Sequence, residues 1–378
     1  MTWTRFDADG TSYIFLAYSS DYGETFSEPR LVSRDSALCS NALGVPAPLG
    51  RCNTNQFSQP FTGPDGALYV TWANYNVTGL GPRGEEEGEG GDRLRAPAED
   101  NRAQMLLARS TDGGNTFSSP VKVADFYDLP DCETYQDGKG GGSSCVPEKG
   151  ATSNSFFRAA QYPSGAVNPR DDDEVIITFG SYINRNSKES NGCVPTGFND
   201  ETFLPLYDGV KTAGACNNDI VVSRSTNGGR SFTGGTTDVR KLPSARANDP
   251  RADQFWQWAA FTDGGRLAVS YYDRAYGSDE QTGFSDMSLS GSRNGSDFAT
   301  VRVTTGSMPP PTEFSGGFFG DYSGLTADDV AHPVWMDTRE PELFACGEPP
   351  ATCTMPGANA ALANDQNVFT RSLGVPLP

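Results

Sequence analysis

Apolar and polar residues alternate with a period of two through most of the chain, and no comparable stretch keeps a helical period. The clearest runs are ALYVTW (67–72), EVIITF (174–179), RLAVSY (266–271) and AHPVW (331–335), ending on Trp72, Phe179, Tyr271 and Trp335. The first three follow segments that close on a turn glycine: QPFTGPDG (59–66), RAAQYPSG (158–165) and QWAAFTDG (257–264). Another alternating run comes after each: MLLARS (105–110), DIVVSRS (219–225), DMSLSGS (286–292) and NVFTRS (367–372). An eight-residue phrase then recurs, as STDGGNTF (110–117) and STNGGRSF (225–232), with an earlier copy SSDYGETF (19–26) and a worn one, GSRNGSDF (291–298). A fourth strand follows the phrase, as in SSPVKVA (118–124).

Four strands per cycle, repeated along the chain, predict an all-β fold: a β-propeller of four-stranded blades. Residues 1–378 read as one domain, with modules over roughly 1–38, 53–126, 153–243, 252–305 and 314–378. MTWTRF matches VTWANY (70–75), so the first module starts inside strand two and its innermost strand is missing. Upstream sequence and a six-bladed architecture with an incomplete first blade are therefore expected.

Within the octets, Ser19, Asp21 and Gly23, Ser110, Asp112 and Gly114, and Ser225, Asn227 and Gly229 form a turn set. Short polar side chains bond turn amides, and glycine tolerates positive φ. In the worn copy Arg293 stands where aspartate belongs, which predicts a looser turn. Copies spread over several modules indicate scaffold rather than chemistry.

Gly 43 and Pro 26 supply turns, and the formal charge of −19 disfavours nucleic acid and anionic membranes as partners. No apolar run is long enough to span a membrane. The eight cysteines fall into local pairs, read as disulfides Cys39–Cys52, Cys132–Cys145, Cys193–Cys216 and Cys346–Cys353 of a secreted, extracellular protein. With no C-x-x-C spacing and one histidine, His332, no metal site is expected, and no cofactor. Histidine-based hydrolysis is excluded in the same way, leaving carboxylate, tyrosine and arginine chemistry. Asn76-Val-Thr and Asn294-Gly-Ser match glycosylation sequons.

If the octets mark one end of the blades, the long cysteine-bearing connections mark the other, where binding loops belong. Aligning strand one by its aromatics sets Phe57-Ser-Gln59, Phe156-Phe-Arg158, Phe255-Trp-Gln257 and Phe319-Gly-Asp321 at equivalent positions. Gln59, Arg158, Gln257 and Asp321 would then approach a central pocket, with Trp258 beside them. At the ends of strand two, YYDR (271–274) and WMDTR (335–339) bring Asp273 to Arg274 and Asp337 to Arg339. These pairs either brace loops, or clamp an anion while a carboxylate handles protons. FFGDYSGL (318–325) adds Asp321 and Tyr322 as further catalytic candidates.

The octet S-x-D-x-G-x-T-F, in phase with four-stranded modules, resembles the Asp-box, or bacterial neuraminidase repeat, of sialidase-like propellers. That resemblance implies an active site on the face opposite the octets. It also implies an arginine triad for a substrate carboxylate, an aspartate acid/base and a tyrosine nucleophile. The family's R-I-P arginine motif does not occur here. Arg158, Arg274 and Arg339 stand as anion-clamp candidates, and Asp321, Tyr322, Asp273 and Asp337 as catalytic ones. The expectation is a monomeric glycoside hydrolase acting on an acidic-sugar glycan. The alternative is a non-catalytic propeller that binds glycan or protein through its stapled loop face.

Overall fold

The computed structural model describes residues 1–41, 43, 45–77, 100–131, 143–147, 157–199, 201–210, 212, 214–246, 252–276, 284–309, 320, 323–342, 363–364 and 366–378. The chain is all-β, and its antiparallel sheets follow one another in sequence as propeller blades do. Blade one is β1 (Thr2–Phe6), β2 (Ser12–Leu16) and β3 (Arg30–Leu31). Blade two is β4 (Asn55–Thr62), β5 (Leu68–Asn74), β6 (Arg102–Ser110) and β7 (Val121–Tyr127). A ribbon of β8 (Cys145–Val146) and β9 (Phe157–Arg158) precedes blade three. There β10 (Ser164–Asn168) pairs with β11 (Asp171–Ser181); a hairpin of β12 (Pro195–Phe198) and β13 (Pro205–Tyr207) intervenes before β14 (Asp219–Thr226). Blade four is β15 (Gln254–Phe261), β16 (Leu267–Asp273), β17 (Asp286–Ser292) and β18 (Ala299–Arg302). Blade five has β19 (Gly324–Ala327) and β20 (Ala331–Asp337), then a ribbon of β21 (Pro341–Glu342) and β22 (Ala363–Asn364), then β23 (Asn367–Thr370) beside β20.

Blade order follows from burial on both faces. Trp72, Phe179, Tyr271 and Trp335, the aromatics that end strand two, are all buried. The innermost strands β4, β10, β15 and β19 touch in succession, and β1 lies against β4. In blade one β1 pairs with β2, and the octet follows β2.

Blade three departs from the four-strand pattern. After its octet come two 3-10 turns, Thr233–Gly235 and Val239–Lys241, and among the described residues the return to β14 is one isolated bridge, Ser244 to Val221. Gly234 explains the departure: a Cβ there would meet Ala124 Cβ and the Val123 carbonyl oxygen at 2.6 Å. The segment is pressed onto blade two instead of extending alongside β14.

The octets fold into one repeated turn. In the second, Ser110 Oγ accepts the Gly114 amide at 2.9 Å, and Asp112 Oδ1 accepts the Thr116 amide at 2.9 Å. Thr116 Oγ1 donates to Asp112 Oδ2 at 2.6 Å. The first copy repeats this with Ser19, Asp21, Gly23 and Thr25. In the third, Asn227 Oδ1 accepts the Ser231 amide and Asn227 Nδ2 donates to Ser231 Oγ. The worn copy corrects the reading of Arg293. Ser292 accepts the Gly295 amide and Asn294 accepts the Asp297 amide, so Asn294 takes the aspartate's place in a turn one residue shorter.

The octet glycine also sets the spacing between blades. A Cβ on Gly114 would meet Leu16 of blade one at 3.2 Å, and one on Gly229 would meet Tyr69 of blade two at 3.0 Å. On Gly295 it would meet Ile176 of blade three at 3.0 Å. Each turn is thus docked on the preceding blade. The octet glycines also have positive φ, +87° at Gly114 and +75° at Gly229.

Candidate functional site

Two innermost strands begin with the same irregularity. β4 pairs Gln56 with Ala73 and then Gln59 with Thr71; β15 pairs Phe255 with Tyr272 and then Trp258 with Ser270. Both are bulges, and in each the residue after the break has left-handed backbone: Phe57 at φ +59° and Trp256 at φ +57°. For an aromatic residue this conformation costs about 1–3 kcal/mol, and such strain gathers at functional sites.

The register corrects the strand-one alignment by one residue. Phe57 corresponds to Trp256, and Gln59 to Trp258, because Thr71 and Ser270 hold the same place on strand two. Phe255 is a core residue, stacked on Tyr272 at 5.4 Å. In blade three the position of Gln59 is held by Ser164, opposite Thr178, whereas Arg158 belongs to the β8–β9 ribbon. Two residues before Ser164 comes Tyr162, whose ring meets Trp256 edge-on at 5.7 Å.

The two strained aromatics face one cleft of about 260 Å³. Tyr75, Asp128, Arg158 and Gln56 line it with Phe57 and Trp256. Arg158 is exposed and Asp128 is 7% exposed, with its Oδ1 accepting the Leu129 amide at 2.8 Å. The Tyr75 ring is propped edge-on against Phe126 at 6.1 Å. The cleft thus brings together a guanidinium, a carboxylate, a phenol and two aromatic side chains. Sequence reasoning missed Tyr75 and Asp128. Both sit just past a strand end, Asp128 in DFYDLP, and no local pattern marks them.

Other candidate residues lie elsewhere. Gln257 is buried and donates to the Tyr162 and Thr178 carbonyls, and Gln59 Oε1 accepts the Gly165 amide at 2.6 Å, so both tie blades two and four to blade three. Asp273 and Asp337 are buried. Asp273 accepts from Arg246 at 2.7 Å and from Ser288 at 2.7 Å, so its salt-bridging arginine is Arg246, not the adjacent Arg274 expected from YYDR. Arg274, 3% exposed, lies over the Phe255 ring at 5.6 Å. Asp337 accepts from Arg339 Nη2 at 2.7 Å and from Trp335 Nε1 at 3.1 Å. With Arg302 on Asp286, these make three arginines seated on buried aspartates at the loop end of blades four and five. Arg158 thus lines the cleft, while Arg274 lies over Phe255 and Arg339 is paired with Asp337. Asp321 and Tyr322 lie outside the described residues.

Two disulfides, Cys39–Cys52 and Cys193–Cys216, join the expected partners. Cys145 is also disulfide-bonded; Cys132, Cys346 and Cys353 lie outside the described residues. Asn76 is a poor glycosylation acceptor, being buried with its Nδ2 donating to the Ser40 and Arg51 carbonyls and to Asn53; Asn294 is exposed. No group of three or more metal-ligating side chains occurs among the described residues, and no helix among them is long and apolar enough to cross a membrane.

No family model matches the sequence, and a search of curated proteins finds no match. Among solved structures, the chain is similar to the NanB sialidase of Streptococcus pneumoniae, at 12% identity and a TM-score of 0.41, over 85% of this chain and 53% of that one. It is similar to an alpha-L-arabinanase of Penicillium chrysogenum at 10% identity and 0.40, over 88% and 76%. A protein of unknown function from Dyadobacter fermentans gives 13% and 0.40, over 96% and 68%. The chain spans about half the length of the sialidases it matches.

Proposed function

We propose that the protein is a secreted, glycan-acting propeller of the sialidase-like type, and that the cleft between Phe57, Arg158 and Trp256 holds an acidic sugar. The observation that carries this reading is the meeting, at one cleft, of an exposed guanidinium with two aromatic residues held in strained backbone. Arg158 would take the ligand carboxylate, and the partly exposed Phe57 an apolar face. The octet turns, with their Ser and Asp side chains bonded to turn amides, support the Asp-box resemblance. The disulfides support an oxidising compartment.

In the hydrolytic form of this reading, Asp321 and Tyr322 act as acid/base and nucleophile on the strength of the sequence, with Asp128 and Tyr75 as the carboxyl and phenol of the cleft. One observation favours a non-catalytic glycan binder instead: Asp273 and Asp337 are buried and salt-bridged to Arg246 and Arg339. A panel of fluorogenic glycosides, sialosides and uronides included, separates the two when paired with binding of the free acids. Arg158→Ala should weaken binding of an acidic sugar roughly 10- to 100-fold, the worth of one charged hydrogen-bonding partner. Binding of acidic sugars unchanged in Arg158→Ala, or absent in the native protein, would sink the proposal.

A further inference from the structure

Among the described residues β1 pairs only with β2, and its register runs unbroken from Thr2–Leu16 to Phe6–Ser12. Met1 donates to the Ala17 carbonyl at 3.0 Å and accepts the Ala17 amide at 3.1 Å. The alternation of an antiparallel ladder then turns the N–H and C=O groups of Thr2, Thr4 and Phe6 away from β2. No other described strand pairs with them. That edge opens on a groove of about 510 Å³, whose lining includes Thr2, Thr4, Phe6, Gln59, Tyr162 and Trp258 and no charged residue. Phe6 is 64% exposed. The usual protections of an edge are missing as well: β4 has a bulge and Pro60, and β15 a bulge, but β1 has neither. Its one charged residue, Arg5, lies over the Phe15 ring at 4.7 Å and pairs with Asp7 at 2.8 Å.

We infer that this edge binds an extended segment of another protein, which joins β1 as a fourth strand of its sheet. Outward N–H and C=O groups on alternate residues are matched by a polypeptide in strand conformation. The five residues of β1 span about 17 Å, so about five partner residues are held. None of those five is ionised, because the groove offers no opposite charge and an unpaired buried charge is costly. Phe6 and Trp258 favour apolar side chains at alternate positions of the added strand. Beyond the groove, a formal charge of −19 favours basic flanks. The same charge opposes a second copy of this chain, whose β1 would also bring its own Arg5. The last residues of the chain are engaged elsewhere: Leu373 bridges to Ala331, and Pro376 lies against Gly291. Arg158 takes no part in this surface.

The test uses the labelled peptide Lys-Lys-Val-Thr-Val-Thr-Val-Lys-Lys and a second form with glutamate at the central valine, titrated by fluorescence anisotropy. The native protein should bind the first peptide, and the glutamate form more than about tenfold more weakly. Thr4→Pro removes an N–H that lies outside the β1–β2 ladder and should weaken binding roughly three- to tenfold. Arg158→Ala should stay within about twofold of native. Should Thr4→Pro unfold, amide exchange on the native protein gives the same information. The peptide should slow exchange at Thr2, Thr4 and Phe6, and leave Trp3 and Arg5, already bonded to β2, nearly unchanged. No binding by the native protein, or binding without protection at those three amides, overturns the inference. So does an affinity unmoved by both Thr4→Pro and the glutamate. A dimer that protects the same amides without peptide would assign the edge to a second copy instead, and overturn it too.

Discussion

Asp112 and Asp21 show how much a single exposed carboxylate can be asked to do. Hydrogen bonds hold both at a pKa of about 2: from the Thr116 side chain and amide and from Ser110 on Asp112, and from Ser19 and Thr25 on Asp21. Their folded values lie below the ordinary 3.8, so the stability they contribute is complete above about pH 4 and is lost as pH falls towards 2. Blade three contains its own control, because Asn227 makes the same turn without a charge. Asp21→Asn with Asp112→Asn should therefore flatten the fall in urea midpoint between pH 4 and pH 2; an unchanged slope would refute the account. Sequence counting recognised Asn227, since an amide replaces a carboxylate in place. It misplaced Arg293, since a deletion of one residue moves the capping group while the string still looks aligned.

Among elements, the octet turn separates backbone strain from packing. Gly23, Gly114 and Gly229 all have positive φ, yet nothing lies within 4 Å of a Cβ on Gly23, while Gly114 and Gly229 face Leu16 and Tyr69. Alanine at position 23 should cost about 1–2 kcal/mol, the left-handed penalty alone. At 114 and 229 it should cost about 1–3 kcal/mol more, because a methyl group must push the neighbouring blade. Equal losses at all three sites, read from chemical denaturation, would remove the docking role. Strands and turns were legible because alternation and glycine placement are local. Register was not: Phe-x-Gln recurs at 57–59 and 255–257, but the ladder partners Thr71 and Ser270 decide equivalence, and they shift it by one. Blade three's missing fourth strand was equally hidden, since Gly234 is set by a contact with blade two.

For the whole molecule, the arginine–aspartate pairs act as fasteners between long connections. Arg246 joins the connection before blade four to the end of β16, and Tyr276 is flanked by Arg246 and Arg302 at 5.0 and 5.2 Å. Arg246→Ala removes the salt-bridge partner of a buried carboxylate and should cost about 3–5 kcal/mol. Its thermal midpoint should fall while affinity for an acidic sugar, measured well below that midpoint, stays near native. A selective loss of affinity with stability intact would return Asp273 to the ligand site. The cleft itself could not be read from the sequence, because Phe57, Asp128, Arg158 and Trp256 come from blade two, the ribbon and blade four, and no short string contains them.

Tyr272 has a different consequence. Its phenol is buried, burial raises its pKa far above the ordinary value, and its oxygen both accepts the Met336 amide at 2.9 Å and donates to the Met336 carbonyl at 3.1 Å. A side chain of blade four thus bonds both backbone groups of one residue of β20. The Met336 amide can exchange its hydrogen with solvent only when the two blades part, so its exchange rate reports the frequency of that separation. Blades four and five should open together in one event, and Tyr272→Phe should release Met336 early while the rest of β20 stays protected. The propeller is then a set of coupled leaves with its seams tuned by single hydroxyls, not a stack of independent repeats.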